Sequence, residues 1–472
     1  MSTLRFVRDW VGCASVKARS LVVCFLCIPL LLSLVSCSRV TGTLYRAEGL
    51  QHYHMGYLSS AKDDYTRAIT LNPDDAIAYN NRGYIRYRQR DRTGAVADFD
   101  QAIEIDPTYA AAYDNRGLVK RDMNNWDGAV ADFNQAIKID PTYSLAYYHR
   151  GVIELNSKEL DKAFADFSRG QTLDPKNAEF YYRLGRTRYE QGDIDGSLAD
   201  FNQAILLKPK DFRFYNTRGL DKFRKGDWDG AAADYDQSIA LNPRNARVYD
   251  NRSLLKKAQG DLDGALADSN QAVALNPNDI WALNDRGIVK EAKGDLEGAI
   301  DDYSQSLTLD PKQGDTYESR AFARYETGDF AGTIADDLKA LEFHPQIADY
   351  LHYNLWLARM KSGHKAEAIQ ELSAYLTVRP GPGSTDWSTK VGNFLLDRIS
   401  EADFLAAAAS PDANTDRDQH CEAWYYAGMK HLLAGDKTVA TDYFHKCLLT
   451  HQTEFIEFDQ AQNELKSLGQ SP

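Results

Sequence analysis

The residues best suited to chemistry in this sequence are two histidines and two cysteines near its end. His420 precedes Cys421, and His445 lies two residues before Cys447. Such side chains bind zinc, but residues one or two apart point to different sides of a helix, so we expect no metal site. The two cysteines fall at opposite ends of two predicted antiparallel helices. They could form a disulfide in an oxidising compartment, or Cys447 could fill a small-residue position as a buried thiol.

No catalytic motif accompanies these residues. The sequence lacks GxSxG, HExxH, GxGxxG and Walker-type loops, and its acidic residues recur at regular intervals instead of gathering in one cluster. We therefore expect no enzyme and no cofactor. The net charge of −13 at pH 7 argues against nucleic acid as a partner, because phosphates are bound by basic surfaces.

Another cysteine, Cys37, ends a segment that is first basic and then apolar. Arginine and lysine are frequent up to residue 19, and no charged residue occurs from Leu21 to Ser36. This order is typical of a secretory leader, and the uncharged run is shorter than the roughly 20 residues of a stable membrane span. We expect a signal peptide over residues 1–36. The alternative is an uncleaved signal anchor.

The residues Leu34-Val35-Ser36-Cys37 resemble the lipobox of bacterial lipoproteins. The resemblance implies that Cys37 becomes the acylated first residue of the mature protein, because several acyl chains anchor a protein where one would be marginal. Residue 38 is Ser, not Asp, which resembles an outer-membrane sorting signal. We expect a lipid-anchored protein that faces the periplasm, with residues 37–41 as a short tether.

The helices that position these residues are predicted from a sequence repeat of 34 residues. Prolines recur at this spacing at positions 73, 107, 141, 175, 209, 243, 277, 311 and 345. If each proline is position 32 of a unit, the units begin at 42, 76, 110, 144, 178, 212, 246, 280 and 314. Position 8 then holds only small residues, and position 24 is mostly Phe or Tyr, as in Gly83 and Phe99. In five units a Gly-Asp pair, such as Gly192-Asp193, can end one helix and cap the next.

These positions match the tetratricopeptide-repeat (TPR) family, whose 34-residue helix-turn-helix units stack into a right-handed superhelix. The resemblance predicts an all-α solenoid of about ten units, with nine repeats over residues 42–347 and a degenerate tenth over 348–382. A further pattern places Arg at position 7 and Asp at position 23 of most units, as in Arg82 and Asp98. We predict an Arg–Asp bridge between the antiparallel helices of each unit, or between neighbouring units.

The inner surface of a TPR array, formed by the first helix of each unit, is the usual peptide groove. It is lined chiefly from positions 2, 5, 6, 9, 12 and 13, and positions 5 and 6 are unusually polar here. We call the set of side chains at positions 5 and 6 the candidate groove: Asn80, Asn81, Asp114, Asn115, Tyr148, His149, Tyr182, Arg183, Asn216, Asp250, Asn251, Asn284 and Asp285.

Asparagine can pair with both the N–H and the C=O of an extended peptide, which suits sequence-tolerant binding. Arg183 is the exceptional basic residue in the candidate groove, whereas Asp114, Asp250, Asp285 and, at position 5 of the ninth unit, Glu318 would repel a carboxylate. We therefore expect a neutral or basic protein partner. The alternatives are a groove that is simply a solvated surface, or binding through the outer face or the C-terminal segment.

The pattern changes after residue 383, where a C-terminal helical module is predicted over 383–472. Residues 387–408 read as two helices broken near Ser400, followed by a loop from Pro411 to Asp418. Residues 421–454 then form another TPR-like unit, and Phe455 to Leu468 complete the module as a capping helix.

This module resembles the C-terminal region of NlpI-type TPR lipoproteins of the bacterial envelope. The resemblance rests on Trp387, Phe394-Leu395, Ile399-Ser400-Glu401, Glu422, Tyr426, Gly428, Leu432, Gly435-Asp436, Ala440, Phe444, Phe455, Glu457 and Glu464-Leu465. It implies an adaptor that binds a periplasmic protease or peptidoglycan hydrolases and can form a homodimer. Those proteins have far fewer repeats than this chain. The alternative is a structural lipoprotein that stabilises an envelope complex without recruiting clients.

Overall fold

The computed structural model describes residues 38–379, 386–452 and 455–471. In these ranges the regular elements are helices, and no strand occurs. This confirms the predicted all-α solenoid of paired helices. The predicted leader and Cys37 lie outside the described residues. By its internal contacts the chain divides into two compact units, one ending at Asp227 and the other beginning at Trp228.

The first unit contains eleven described helices, which form five helix pairs and one first helix. They are α1 (38–54), α2 (Leu58–Leu71), α3 (Ala76–Arg88), α4 (Arg92–Ile105), α5 (Ala110–Asp122), α6 (Trp126–Ile139), α7 (Ser144–Asn156), α8 (Leu160–Leu173), α9 (Ala178–Glu190), α10 (Ile194–Leu207) and α11 (Phe212–Arg224). Residues 38–41, predicted as part of a tether, belong to α1.

The second unit continues the repeat and adds the C-terminal module. Its helices are α12 (Trp228–Leu241), α13 (Ala246–Ala258), α14 (Leu262–Leu275), α15 (Ile280–Ala292), α16 (Leu296–Leu309), α17 (Gly314–Thr327), α18 (Phe330–Phe343), α19 (Ala348–Lys361), α20 (Lys365–Val378), α21 (Trp387–Leu395), α22 (Glu401–Ala406), α23 (Ala413–Leu433), α24 (Lys437–Leu448) and α25 (Ile456–Ser467). One hydrophobic core joins Tyr325, Tyr353, Phe394, Phe444 and Leu465. The predicted limits at 347/348 and 382/383 rest on repeat spacing and stay predictions.

The turn inside each pair is set by local backbone chemistry. Gly192 adopts φ +84° at the end of α9, a conformation that glycine reaches without steric cost. The Asp193 carboxylate then accepts a hydrogen bond from the Gly196 N–H at 2.9 Å, which satisfies a free donor at the start of α10. The Gly-Asp turn predicted from sequence is therefore confirmed.

The small residue at position 8 allows the two helices of a pair to approach closely. A Cβ added to Gly83 would lie 2.8 Å from the Phe99 ring, and one added to Gly117 would lie 2.6 Å from the Phe133 ring. Both rings are fully buried. The alternation of small and aromatic positions is thus the packing rule of the repeat, because neither partner leaves room for a larger one.

The predicted Arg–Asp bridge is confirmed as a bidentate pair within a repeat. Arg82 donates from Nε and Nη2 to both carboxylate oxygens of Asp98, at 2.9 and 2.7 Å. The same arrangement joins Arg116–Asp132, Arg150–Asp166, Arg252–Asp268, Arg286–Asp302 and Arg320–Asp336. The remaining Nη1 reaches the preceding repeat, as from Arg116 to Asp100 at 2.7 Å. One side chain therefore connects three helices, which fixes their relative geometry.

Repeats four and five have different charges around the aspartate at position 23. Leu184 replaces the arginine in repeat five, so Asp200 relies on Arg188 at 2.8 Å, and burial raises the pKa of Asp200 to about 6. In repeat four, Glu154 takes the place where Lys120 assists Asp132 at 2.8 Å in repeat three. Burial and the Asp166 carboxylate raise the pKa of Glu154 to about 7.

The C-terminal module agrees with the prediction except in one segment. Helices α21 and α22 are separated at Ser400, whose hydroxyl accepts a hydrogen bond from the Asp403 N–H at 3.1 Å. The predicted loop from Pro411 to Asp418 is wrong, because α23 already begins at Ala413. The Asp412 carboxylate caps α23 by accepting a hydrogen bond from the Thr415 N–H at 2.8 Å. Asp412 lies in a polar stretch of the sequence, which makes this helix-start signal hard to recognise.

Candidate functional site

The candidate groove residues lie on the first helices of the repeats, and the structure links many of them in pairs. Asn115 Nδ2 donates to Asn80 Oδ1 at 2.9 Å, and Asn80 Nδ2 donates to the Tyr109 hydroxyl at 3.3 Å. Asn80 is only 5% exposed. The side chain at position 5 of one repeat thus bonds to the side chain at position 6 of the next, so part of the candidate groove holds neighbouring repeats together.

The same spacing recurs in the following repeats. His149 Nδ1 lies 2.8 Å from Asp114 Oδ1, and Arg183 Nε donates to the Tyr148 hydroxyl at 3.1 Å. Asp114 is 1% exposed and also accepts a hydrogen bond from Tyr143 at 3.5 Å. Asp114 is therefore engaged inside the protein and is not the exposed, repelling carboxylate that the sequence suggests.

Farther along the candidate groove, helices α9 and α11 carry aromatic rings and arginines. The Arg183 guanidinium lies 5.5 Å from the Tyr148 ring centroid and 5.8 Å from that of Tyr182. Tyr182 also packs against Phe214 with a centroid separation of 5.1 Å. Asn216 is buried here. Arg183 is thus stacked between repeats, where cation–π contacts hold it.

An open cleft remains at the start of the groove, in the first unit. It has a volume of about 200 Å³ and is lined by Leu50, Tyr53, Tyr65, Asn80, Asn81, Tyr84, Ile85 and Asn115. The lining contains no charged side chain. Tyr53 and Tyr84, at positions 12 and 9 of their repeats, meet edge to face at 6.0 Å. Although these positions are known groove positions of the repeat, the prediction named residues from positions 5 and 6 alone and missed both tyrosines.

The candidate groove of the second unit is acidic. Burial raises the pKa of Asp250 and of Asp285, which share a hydrogen bond. Asn284 Nδ2 donates to Thr316 Oγ1 at 2.7 Å and to Gln313 Oε1 at 3.1 Å, while its own Oδ1 has no partner among the described residues. Asn251 takes part in interactions as well. The carboxyl groups of Asp250 and Asp285 could together bind a hydrogen-bond donor or a cation.

The C-terminal helix α25 lies beside this part of the groove. Lys361 forms an ion pair with Glu464, and Asn463 hydrogen-bonds to Glu326. A cleft of about 690 Å³ separates α25 from α13 and α15, and its lining includes Lys257, Glu291 and Asp459. The helix predicted to cap the solenoid therefore faces groove positions of repeats seven to nine and of the degenerate repeat.

The two predicted cysteine partners come together in the second unit. Cys421 and Cys447 are free thiols, fully buried, with sulfur atoms 3.3 Å apart. The hydrogen bond with Cys421, together with burial, raises the pKa of the Cys447 thiol. Cys447 lies near the end of α24 as predicted, but the expectation that Cys421 begins a helix is wrong, because α23 already begins at Ala413. The disulfide stays a prediction.

One group of metal-ligating residue types in the described chain includes Glu318, at position 5 of repeat nine. Asp315, Glu318 and His344 place their ligand atoms near one another. His344 Nδ1 lies 2.6 Å from Asp315 Oδ1, so an ordinary ion pair accounts for the contact. In the part of the chain that the structure describes, no helix is both long and apolar enough to cross a bilayer.

The helix pairs and the polar inner surface define a helical-repeat protein of the kind that binds other proteins. Family comparison identifies the repeat itself. A tetratricopeptide-repeat model matches residues 46–110, 182–246, 216–280 and 251–314, and a TPR-repeat model matches residues 117–157. The chain is therefore a tetratricopeptide-repeat protein. A search of curated protein sequences gave no significant match.

Several solved structures are similar in fold. A tetratricopeptide repeat protein from Parabacteroides merdae is 21% identical, with a TM-score of 0.42 over 53% of this chain and 98% of that one. Pseudomonas aeruginosa pilF is 19% identical, with a TM-score of 0.41 over 44% and 94%. The APC/C hetero-tetramer Cut9-Hcn1 gives 14% identity and 0.46 over 66% and 76%. At these identities the likeness concerns the fold alone.

Proposed function

We propose that this protein is a non-enzymatic scaffold that binds segments of other proteins through the open part of its candidate groove. The observation that carries the proposal is the uncharged cleft of about 200 Å³ in the first unit. Amide groups from Asn81 and Asn115 can pair with an extended backbone, and Tyr53 and Tyr84 offer aromatic surfaces to its side chains. The TPR fold is typical of such scaffolds.

The charges along the groove favour a neutral or basic partner. The cleft in the first unit is uncharged, and the Asp250–Asp285 pair in the second unit would favour a cation or a donor. A partner with an acidic tail would lose hydration at these carboxyl groups without gaining an opposite charge.

The proposed location comes from the sequence. The basic and apolar leader with Cys37 at its end supports a lipid-anchored protein of the outer membrane that faces the periplasm. The resemblance of residues 387–468 to NlpI-type lipoproteins supports periplasmic proteases or cell-wall hydrolases as partners, and homodimer formation as an assembly state. Because residue 38 already belongs to α1, such an anchor would hold the first repeat close to the bilayer.

The alternative function is that of a structural lipoprotein that stabilises an envelope complex without recruiting clients. The hydrogen bonds that join position 5 to position 6 of the next repeat favour it, because they use groove side chains to hold repeats together. Asn80–Asn115, Asp114–His149 and Tyr148–Arg183 are such pairs.

Photo-crosslinking in cells tests the proposal. A crosslinkable residue in place of Asn81 or Asn115 should capture discrete partner proteins. The same residue in place of Glu104, which is exposed on the second helix α4, is the matched control. Partners captured at Asn81 and absent at Glu104 support groove binding. Equal capture at the three positions, or none at Asn81 and Asn115, would refute it in favour of the structural alternative.

A further inference from the structure

The turn between α3 and α4 departs from the common repeat at two positions. At position 15 the chain adopts positive φ, and six of the nine repeats place Gly there, as at Gly192 and Gly260, whereas repeats three and four have Asn124 and Lys158. Repeat two has Arg90, with φ +66°. A side chain with a Cβ adopts this conformation at a steric cost that glycine avoids. Arg90 is thus retained where the fold itself prefers glycine.

The second exception lies two residues further on. Position 17 is apolar in every repeat except the second: Leu58, Trp126, Leu160, Ile194, Trp228, Leu262, Leu296 and Phe330. Repeat two has Arg92, the first residue of α4. A cation at the start of a helix is unfavourable, because that end of the helix dipole is positive. At both positions repeat two therefore has an arginine where the backbone conformation or the helix dipole disfavours one.

The two arginines line one cleft together with a third. Arg88, Arg90 and Arg92 are exposed and surround a cleft of about 320 Å³ with Tyr87 and Asp122. Among the described residues, no carboxylate lies within ion-pair distance of any of the three, in contrast to the arginines at position 7. The hydroxyls of Tyr84 and Tyr53 raise the pKa of the Arg88 guanidinium.

The carboxyl groups near the cleft form their short contacts with other residues. Asp122 accepts a hydrogen bond from the Tyr87 hydroxyl at 2.5 Å and pairs with Arg121 at 3.0 Å. Burial would raise the pKa of Asp122, but these two bonds and the charges of Arg121 and Arg92 outweigh burial and lower it. Asp91 caps α4 by accepting from the Gly94 N–H at 2.9 Å. Arg86 is held by Asp98 at 3.0 Å.

We propose that Arg88, Arg90 and Arg92 form a binding site for a phosphate group. Each guanidinium presents a planar fork of donors that fits the oxygens of phosphate or carboxylate. Three guanidinium groups around one cleft offer more hydrogen-bond donors than the two oxygens of a single carboxylate can accept. A phosphate presents three or four acceptor oxygens and matches them better. The phosphate can belong to a soluble ion or to an anionic phospholipid headgroup.

Calorimetric titration of the full chain, purified in a nonionic detergent, tests the site. The ligands are inorganic phosphate, dihexanoyl-phosphatidylglycerol, dihexanoyl-phosphatidylcholine and hexaglutamate. We expect saturable binding of phosphate or of the phosphatidylglycerol that weakens as salt is added. Tighter binding of phosphatidylglycerol than of inorganic phosphate assigns the site to anionic headgroups, and the reverse order assigns it to soluble phosphate.

The decisive variant restores the repeat pattern. R90G combined with R92L introduces the residues that other repeats carry at these positions, so the fold should be at least as stable as that of the wild type. We expect phosphate binding to weaken about ten-fold or more in this variant. The matched control is K158G, which removes a cation at position 15 of repeat four, where Lys158 pairs with Glu190 at 2.7 Å.

K158G should leave the affinity unchanged. The proposal is overturned if neither phosphate ligand binds saturably, or if R90G/R92L binds as tightly as the wild type. It is also overturned if K158G weakens binding equally. Tighter binding of hexaglutamate than of both phosphate ligands, lost in R90G/R92L, would assign the cleft to acidic peptides and refute the phosphate assignment.

Discussion

Substitution of Glu154 by Gln should stabilise the protein at alkaline pH and leave it nearly unchanged at acidic pH. Glu154 occupies position 11 of repeat four, where the repeats from two to nine otherwise carry Arg or Lys. Its side chain is largely buried beside Asp166, and its Oε2 has no partner among the described residues. Arg150 lies 3.9 Å from Oε1, which is too far for a strong hydrogen bond.

The magnitude follows from the pKa of Glu154. Burial and Asp166 raise this pKa from 4.5 to about 7, and one pH unit corresponds to about 1.4 kcal/mol. An ionised Glu154 would cost the folded state about 3 kcal/mol in a dry site, and screening by water reduces the cost to about 1–2 kcal/mol. The folded chain holds its proton more tightly than the unfolded chain, so this stability is complete below pH 4.5 and is lost as the pH rises through 7.

Thermal unfolding followed by circular dichroism at pH 5 and pH 8 measures the effect. The E154Q variant should melt about 2–6 °C above the wild type at pH 8 and close to it at pH 5. The exposed Glu104→Gln provides a control that should change neither value. An equal gain at both pH values, or no gain at pH 8, would refute the assignment of a buried, protonated Glu154.

Three other changes test the remaining features. Leu184→Arg should supply Asp200 with the missing bidentate partner and lower the pKa of Asp200 from about 6, as measured by the pH dependence of urea denaturation; a pKa that stays near 6 would contradict it. Gly117→Ala should destabilise the protein by about 1–3 kcal/mol in the same assay, because the added Cβ would lie 2.6 Å from the Phe133 ring, and an unchanged midpoint would argue against this packing. Cys421 and Cys447 should resist alkylation in the folded protein and react when it is unfolded without reductant, as judged by mass spectrometry; protection that persists after unfolding would reveal a disulfide.

The sequence predicted the turn, the close packing and the Arg–Asp bridge, which repeat within one 34-residue unit. The Gly-Asp turn at Gly192, the contact between Gly83 and Phe99, and the bridge between Arg82 and Asp98 all depend on positions a fixed distance apart in one helix pair. Such contacts follow from helix geometry and antiparallel pairing alone.

Contacts between repeats were harder to predict. The bond from Asn115 to Asn80 depends on how successive helix pairs stack, and the position of α25 depends on a contact between Lys361 and Glu464, which are 103 residues apart. The first contact recurs with different residue types in each repeat, and the second occurs once, so neither leaves a periodic signal of residue type. The start of α23 was missed for a local reason, because the Asp412 cap lies within a polar stretch that also fits a loop.

The absence of arginine at position 184 has a mechanical consequence for the stack in the first unit. In repeats two, three and four, a single guanidinium ties each helix pair to the one before it, and the bonds to Thr66, Asp100 and Asn134 complete these ties. Leu184 forms no such bond and packs instead in a hydrophobic core with Phe167 of repeat four. Because the stability of a repeat array is the sum of its units and of the junctions between neighbours, the junction of repeats four and five draws on apolar packing where the three junctions before it draw on a guanidinium.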